Sequence, residues 1–208
     1  MLKPRLIPVL LLRDGGLMKS KQFSRWTYVG DALNTSKIFN DKETDELIVL
    51  DVRATLEQRE PNYELLTQLA AECFLPIAYG GGVSSPSVAR KVTKCGVDKV
   101  AVNSAIRKSP ELLKQISEVV GSSSTIASID VSQNVGGYEL HSHPDVDLME
   151  YVAKMEELGA GEVLVQAVDR DGMRCGPDLE LGRKILQATS LPTVYAGGVS
   201  SLEEAVSL

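Results

Sequence analysis

The 208-residue sequence predicts an α/β fold, a (βα)8 barrel made of two half-barrel repeats with its last βα unit missing. Three observations carry this expectation. Apolar runs that are continuous rather than alternating recur seven times, which marks parallel strands covered on both faces. Amphipathic stretches separate these runs, giving the strand–helix order of a parallel sheet. Finally, "LPIAYGGGVSSPSVARKV" (75–92) and "LPTVYAGGVSSLEEAVSL" (191–208) agree at 9 of 18 positions, 116 residues apart. Such an internal repeat makes two similar halves. Half one continues with "TKCGVDKVAVNSAI" and half two stops, so an eighth strand and helix are expected beyond residue 208, and without them two sheet edges are expected to lie open. The structural alternative is a seven-stranded open doubly wound sheet.

The first element is "RLIPVLLLRDGG" (5–16). Basic residues ahead of an apolar run suit a secretory leader, but a seven-residue run broken by Pro8 and followed by Arg-Asp-Gly-Gly without a small-residue cleavage site reads better as a buried strand. The further strand runs are "ELIVLDV" (46–52), "PIAYGG" (76–81), "KVAVNSA" (99–105), "TIASIDV" (125–131), "EVLVQAVD" (162–169) and "PTVYAGG" (192–198). Helices are predicted near 31–44, 62–73, 85–95, 109–120, 145–158, 178–189 and 200–208. Helix entrances are marked by Ser84 or Ser85 before Pro86, by Ser109 before Pro110, and by Ser200 or Ser201 before Glu203 and Glu204. The whole of 1–208 is expected to be one domain, a length that barrels take as a single core.

Composition narrows the function. The net charge is −6 and the pI about 5.1, so the broad basic field of a nucleic-acid binder is missing, and no segment approaches the length of a membrane span. A cytoplasmic protein with no nucleic-acid and no membrane partner is expected. Cys73, Cys95 and Cys175 are scattered without CxxC spacing, as reduced structural thiols would be. His141 and His143, in the hairpin-like "NVGGYELHSH", lack a third nearby ligand, so no metal site and no cofactor is expected.

In a barrel of this kind the chemistry sits beyond the carboxyl ends of the strands. Two of those ends carry "GGGVSS" (80–85) and "AGGVSS" (196–201), where glycine lets a phosphate approach the backbone at a helix amino terminus. Asn103 and Ser104 add short hydrogen-bonding side chains beside the first loop. A ligand with a phosphate at each end is the expectation. Carboxylates also gather at the strand ends. Asp51 and Asp169 read at least as well as loop hydrogen bonders, whereas Asp130 and Asp171, on the runs 125–131 and 162–169 and their rim, are the candidate general acid and base. At the opposite ends, Arg5, Glu46, Lys99 and Glu162 each immediately precede an apolar run. Two cations and two anions on one level can pair into a ring that closes the central bore.

Together these motifs resemble the cyclase subunit of imidazole glycerol phosphate synthase (the HisF family), a TIM barrel of the histidine pathway that works with a glutaminase subunit. The resemblance covers the whole chain, from "RLIPVLLLRDGG" through "LIVLD", "GGGVSS", "KVAVNSA", "SIDV" and "GAGEVLVQAVDRDG" to "YAGGVSS". It implies substrate phosphates on Gly81, Gly82, Asn103 and Ser104 in one half and on Gly172, Gly197 and Gly198 in the other. It also implies an ammonia entrance at Arg5, Glu46, Lys99 and Glu162, with a class I, HisH-like glutaminase at the amino-terminal barrel face.

One departure stands out. The family pairs an aspartate matching Asp130 with another in a stretch of the form C-L-D-V-K-D-G, and here that stretch is "VLLLRDG", so Leu11 stands at the acid's position. Asp14 aligns with the family's second aspartate, further into the loop. An intact ammonia entrance beside a lost acid resembles a paralogue associated with surface-polysaccharide (lipopolysaccharide) genes, which implies delivery of ammonia to a separate sugar amidotransferase. A genuine cyclase-lyase, closing the imidazole and releasing aminoimidazole carboxamide ribotide, stays open beside it. The sugar isomerase of the same pathway shares the repeat but has no use for an ammonia entrance.

Overall fold

The computed structural model describes residues 5–141 and 143–206; Ser142 of the histidine stretch and the last two residues of the helix predicted at 200–208 lie outside them. In chain order the elements are β1 (Val9–Arg13), β2 (Gly16–Lys21), β3 (Arg25–Gly30), α1 (Ala32–Asp41), β4 (Leu47–Asp51), α2 (Tyr63–Glu72), β5 (Ile77–Gly80), α3 (Pro86–Lys94), β6 (Lys99–Val102), α4 (Ser104–Lys108) and α5 (Glu111–Val120). There follow β7 (Thr125–Asn134), β8 (Gly137–Leu140), α6 (Leu148–Glu157), β9 (Glu162–Ala167), α7 (Leu179–Ala188), β10 (Thr193–Ala196) and α8 (Leu202–Val206). Each predicted apolar run contains one strand of a curled parallel sheet, ordered β1, β4, β5, β6, β7, β9, β10.

The alternation of side chains along each strand divides the core in two. Leu47, Val49, Ile77, Tyr79, Val100, Val102, Val163 and Val165 face outward into one large cluster with the helices. Ile48, Ala78, Ala101, Ile126 and Leu164 face inward, with Val9, Leu50, Val194 and Ala196 against them, and fill the barrel interior. The inward residues at the two ends are spaced evenly along the strands: Glu46 and Leu50, Lys99 and Asn103, Glu162 and Gln166. One inward face therefore carries both the charged level at the amino-terminal mouth and the side chains of the carboxyl mouth.

The helix entrances follow from capping. Ser85 accepts from Val88 N (3.3 Å) ahead of Pro86, and Ser201 accepts from Glu204 N (3.2 Å), while Glu204 reaches back to Ser200 N (2.8 Å). Ser109 corrects the expectation. It closes α4, so α5 starts after Pro110 without a side-chain cap.

Of the two edges expected to lie open, one is partly covered. Among the described residues β10 pairs with β9 alone, and its half-buried residues contrast with the fully buried β9. The carboxyl half of β1, by contrast, is covered by the β2–β3 hairpin, with Leu11 opposite Met18 and Leu12 opposite Leu17. This hairpin has no continuous apolar run because one of its strands is largely exposed. The same local pairing recurs where β8 folds back on β7.

Candidate functional site

The two glycine loops are built alike. Gly81 and Gly197 have φ of 118° and 120°, and a Cβ would lie 2.3 Å from the Asp51 carbonyl oxygen in one half and 2.7 Å from that of Ala167 in the other. Only glycine allows this approach of a loop to the preceding strand. Asp51 and Ala167 are themselves 116 residues apart, so the repeat seen in the letters is a repeat of backbone.

These loops border two adjoining cavities at the carboxyl mouth. The first, of about 300 Å³, is lined by Gly81, Gly82, Asn103, Ser104 and Asp130, and also by Leu11, Leu50, Phe23 and Trp26. The second, of about 460 Å³, holds Asp171, Gly172, Gly197 and Gly198, and extends down the slot between β1 and β10 as far as Arg5. Leu11 and Gln166 line both. The seven residues expected to bind phosphate thus divide into two groups, one per cavity.

Leu11 and Asp130 occupy matching places. Leu11 stands in register with Leu50, Asp130 with Gln166, and Leu50 and Gln166 are separated by the repeat length of 116. Burial pushes the Asp130 carboxyl above the usual carboxylate range, relieved in part by the Asn103 and Gln166 amides and by the Arg107 and His141 charges. Gln166 Nε2 donates to Asp130 Oδ1 at 3.1 Å. Gln166 is a further functional candidate, signalled in the sequence only by an amide inside the buried run "VLVQAV". A carboxyl held toward its neutral form at the rim can give or take a proton. At the matching place across the mouth, Leu11 can do neither.

Asp171 is placed differently from the expectation. Strand β9 ends at Ala167, so Asp171 lies in the following loop, and it lines the second cavity, not the one that holds Asp130. Its carboxylate accepts from Ser20 Oγ of the hairpin, and its backbone oxygen accepts from Gln22 N at 2.9 Å. Burial raises its pKa, offset by the bond from Ser20 and by the Phe23 backbone. Gly172 carries the same contact, since a Cβ there would lie 2.0 Å from the Ser20 carbonyl oxygen. This pair therefore clamps the hairpin. Asp51 and Asp169 hold loops: Asp51 Oδ1 accepts from Arg53 N, Ala54 N and Arg59 Nη2, and Asp169 Oδ2 accepts from Gln133 N. Among the described residues no group of three or more His, Cys, Asp or Glu side chains could hold a metal ion.

At the amino-terminal mouth the four predicted charges close a ring. Arg5 Nη1 meets Glu46 Oε2 at 2.7 Å, Arg5 Nη2 meets Glu162, Lys99 Nζ meets Glu162 Oε2 at 2.7 Å, and Lys99 Nζ meets the Glu46 carboxylate at 2.9 Å. The carboxylates are buried, whereas the Lys99 side chain is 18% and that of Arg5 40% exposed. Beside the ring, Asp98 accepts from Ile77 N at 2.8 Å and Phe74 stands 90% exposed.

A family model described as "Histidine biosynthesis protein" matches residues 5–208. The chain is 39% identical over 214 residues to a Pseudomonas aeruginosa protein named "Putative imidazole glycerol phosphate synthase subunit hisF2", covering all of this chain and 85% of that relative. It is 38% identical over 208 residues to the imidazole glycerol phosphate synthase subunit HisF of Chlorobium luteolum, covering 98% of this chain and 83% of the relative. A Leptospira borgpetersenii relative, also named as a HisF subunit, is 39% identical over 210 residues. No helix among the described residues is long and apolar enough to cross a membrane.

Proposed function

The chain belongs to the histidine biosynthesis protein family, and from that premise we propose that it is a HisF-like subunit that takes ammonia from a class I, HisH-like glutaminase and passes it along its barrel with little chemistry of its own. The observation that carries this reading is the inward face: the ring of Arg5, Glu46, Lys99 and Glu162 stands at one end, Ile48, Ala78, Ala101, Ile126 and Leu164 line the interior between, and the far end presents Asp130 with Leu11 where a second acid would stand. A single barrel domain is part of the reading, with the slot between β1 and β10 the place for an eighth βα unit. The ammonia released is then available to a separate sugar amidotransferase, in surface-polysaccharide biosynthesis. Arg5, the most exposed member, opens the ring, since its pairs are screened by water and cost least to part.

The experiment combines the chain with its glutaminase and supplies glutamine and the histidine-pathway ribotide. Glutaminase activity should rise on mixing while imidazole glycerol phosphate stays near background. Robust formation of that product by the Leu11 protein overturns the reading and returns the chain to the cyclase-lyases. That second reading is favoured by one observation, the retention of Asp130 between Asn103 and Gln166 with a glycine loop in each half.

A further inference from the structure

The β2–β3 hairpin has two unlike faces. Ser20 and Trp26, opposite each other in register, face the barrel: Ser20 Oγ donates to Asp171, and Trp26 lines the first cavity. The residues that alternate with them, Lys19, Lys21, Arg25 and Thr27, face water and are all exposed. Residues 16–30 hold these three cations and no acid, in a chain whose net charge is −6. Among the described residues none of the three side chains has a carboxylate partner. Lys21 stands directly opposite Arg25, and Lys19 lies on the same face opposite Thr27. Like charges directly across a strand pair weaken it, and a partner's carboxylates would relieve them.

The outer edge of the hairpin is open as well. The sheet ends at β3, which among the described residues pairs with β2 alone. Edge strands are ordinarily blunted by proline or by charge. Residues 26–30, "WTYVG", carry neither, and Tyr28 and Val29 are 62% and 46% exposed. The hairpin that presents this edge is anchored at its turn, where the Gln22 backbone N–H donates to Asp171 O and the Gln22 side chain to Asp169 O, both at 2.9 Å. A strand joining β3 would therefore meet a preformed edge.

We propose that β3 is a docking edge for an acidic, extended segment of a partner protein, which adds as a further strand and sets its carboxylates beside Arg25 and Lys21. Main-chain hydrogen bonds supply the attachment, and the cations supply the selection. A second copy of this chain does not fit, since it would set the same cations against one another. The edge lies at the carboxyl mouth, from which ammonia leaves on the conduit reading. On that reading the partner is the enzyme that consumes the ammonia, whereas the docking edge itself does not depend on it.

The probe is a capped hexapeptide of alternating valine and glutamate, titrated into the full chain by calorimetry, with amide hydrogen exchange measured on the same complex. It should bind at one site, slow the exchange of the β3 amides, and weaken by about tenfold from low to high salt as the charge contacts are screened. A Pro-Glu hexapeptide keeps the charge without the backbone donors and should bind at least about tenfold more weakly. Lys21→Glu with Arg25→Glu should turn the preference toward a Val-Lys hexapeptide, and the milder Lys21→Gln with Arg25→Gln should abolish any preference between the two. The proposal is overturned if the unaltered chain binds no Val-Glu peptide, binds the Val-Lys or Pro-Glu peptide as tightly, or is protected outside β3. Protection of β3 that rises with the concentration of the chain alone overturns it in favour of a second copy. Each of these results leaves the conduit reading standing, because that reading falls on formation of imidazole glycerol phosphate.

Discussion

Leu11 and Asp130 are counterparts: each stands at the inward, carboxyl-end position of the first strand of its half-barrel, in register with Leu50 and Gln166 respectively. Apolar in one half and acidic in the other, the pair leaves the mouth with one proton-transfer group where the symmetry of the backbone offers two. Leu11→Asp should therefore raise ammonium-dependent formation of imidazole glycerol phosphate by about 10²-fold or more, the usual contribution of a positioned acid or base. The assay is product formation from the ribotide by the purified chain. No gain would show that the cavity has diverged beyond this one side chain.

Asp130 also sets a pH dependence. Its folded pKa is raised by burial above the ordinary 3.8, so the folded state holds its proton more tightly than the unfolded chain. Its contribution is favourable at low pH and is lost as pH rises from the unfolded pKa to the folded one. Asp130→Asn should accordingly raise the melting temperature at pH 7, and the gain should vanish below about pH 4, where the carboxyl is protonated in both states. Melting curves across that range check the sign.

The ring at the opposite mouth is a stability element in its own right. Glu162 is buried between Arg5 and Lys99, so Glu162→Gln strips one anion from two cations. Loss of a partner from a fully buried pair costs about 3–5 kcal/mol. Arg5 and Lys99 keep some contact with water, which brings the expectation to about 1–3 kcal/mol. Denaturant unfolding at low and high salt measures it.

The proposed glutaminase docking implies an exposed apolar anchor at this mouth. Phe74 stands 90% exposed in the loop before β5, on the face that carries the ring. Phe74→Glu should weaken binding of the partner by about tenfold or more, as loss of an aromatic anchor does. Asp98→Asn, which keeps an acceptor for Ile77 N, should leave the fold intact and report the charge contribution alone. Affinity is read by calorimetry.

The unpaired side of β10 predicts a gain on closure. Appending a βα unit patterned on residues 93–120 would give β10 and the amino-terminal half of β1 a partner and cover their half-buried residues. The melting temperature should rise by about 5 °C or more in a domain of this size. An unchanged melting temperature would mean that the sheet needs no further strand.

Much of the barrel was legible because its strands are covered on both faces. That condition writes a continuous apolar run into each of the seven, and the charged residue just ahead of four of them marks the ring level. The β2–β3 hairpin was not legible. It pairs at an edge, its side chains face water in alternation, and "GLMKSK" and "RWTYVG" carry no run to betray them. With it went Phe23 and Trp26, which complete the first cavity. Asp171 was identified as acidic and near the rim, but its bond to Ser20 joins residues 151 positions apart, beyond any local pattern. Gln166 could have been noticed, because a polar side chain in the middle of a buried strand needs a partner, and Asp130 is that partner.

The even spacing that joins the two mouths makes the reading frame of each strand a heritable constraint. Adding or deleting a single codon between Lys99 and Asn103, or between Glu162 and Gln166, would turn the mouth residue outward into the helix layer while the ring stayed in place. A change of two codons would restore the facing. Length variation in this lineage should therefore collect in the loops and hairpins at the carboxyl mouth, whereas the four-residue intervals that tie the charged level to the rim should pass through descent unaltered.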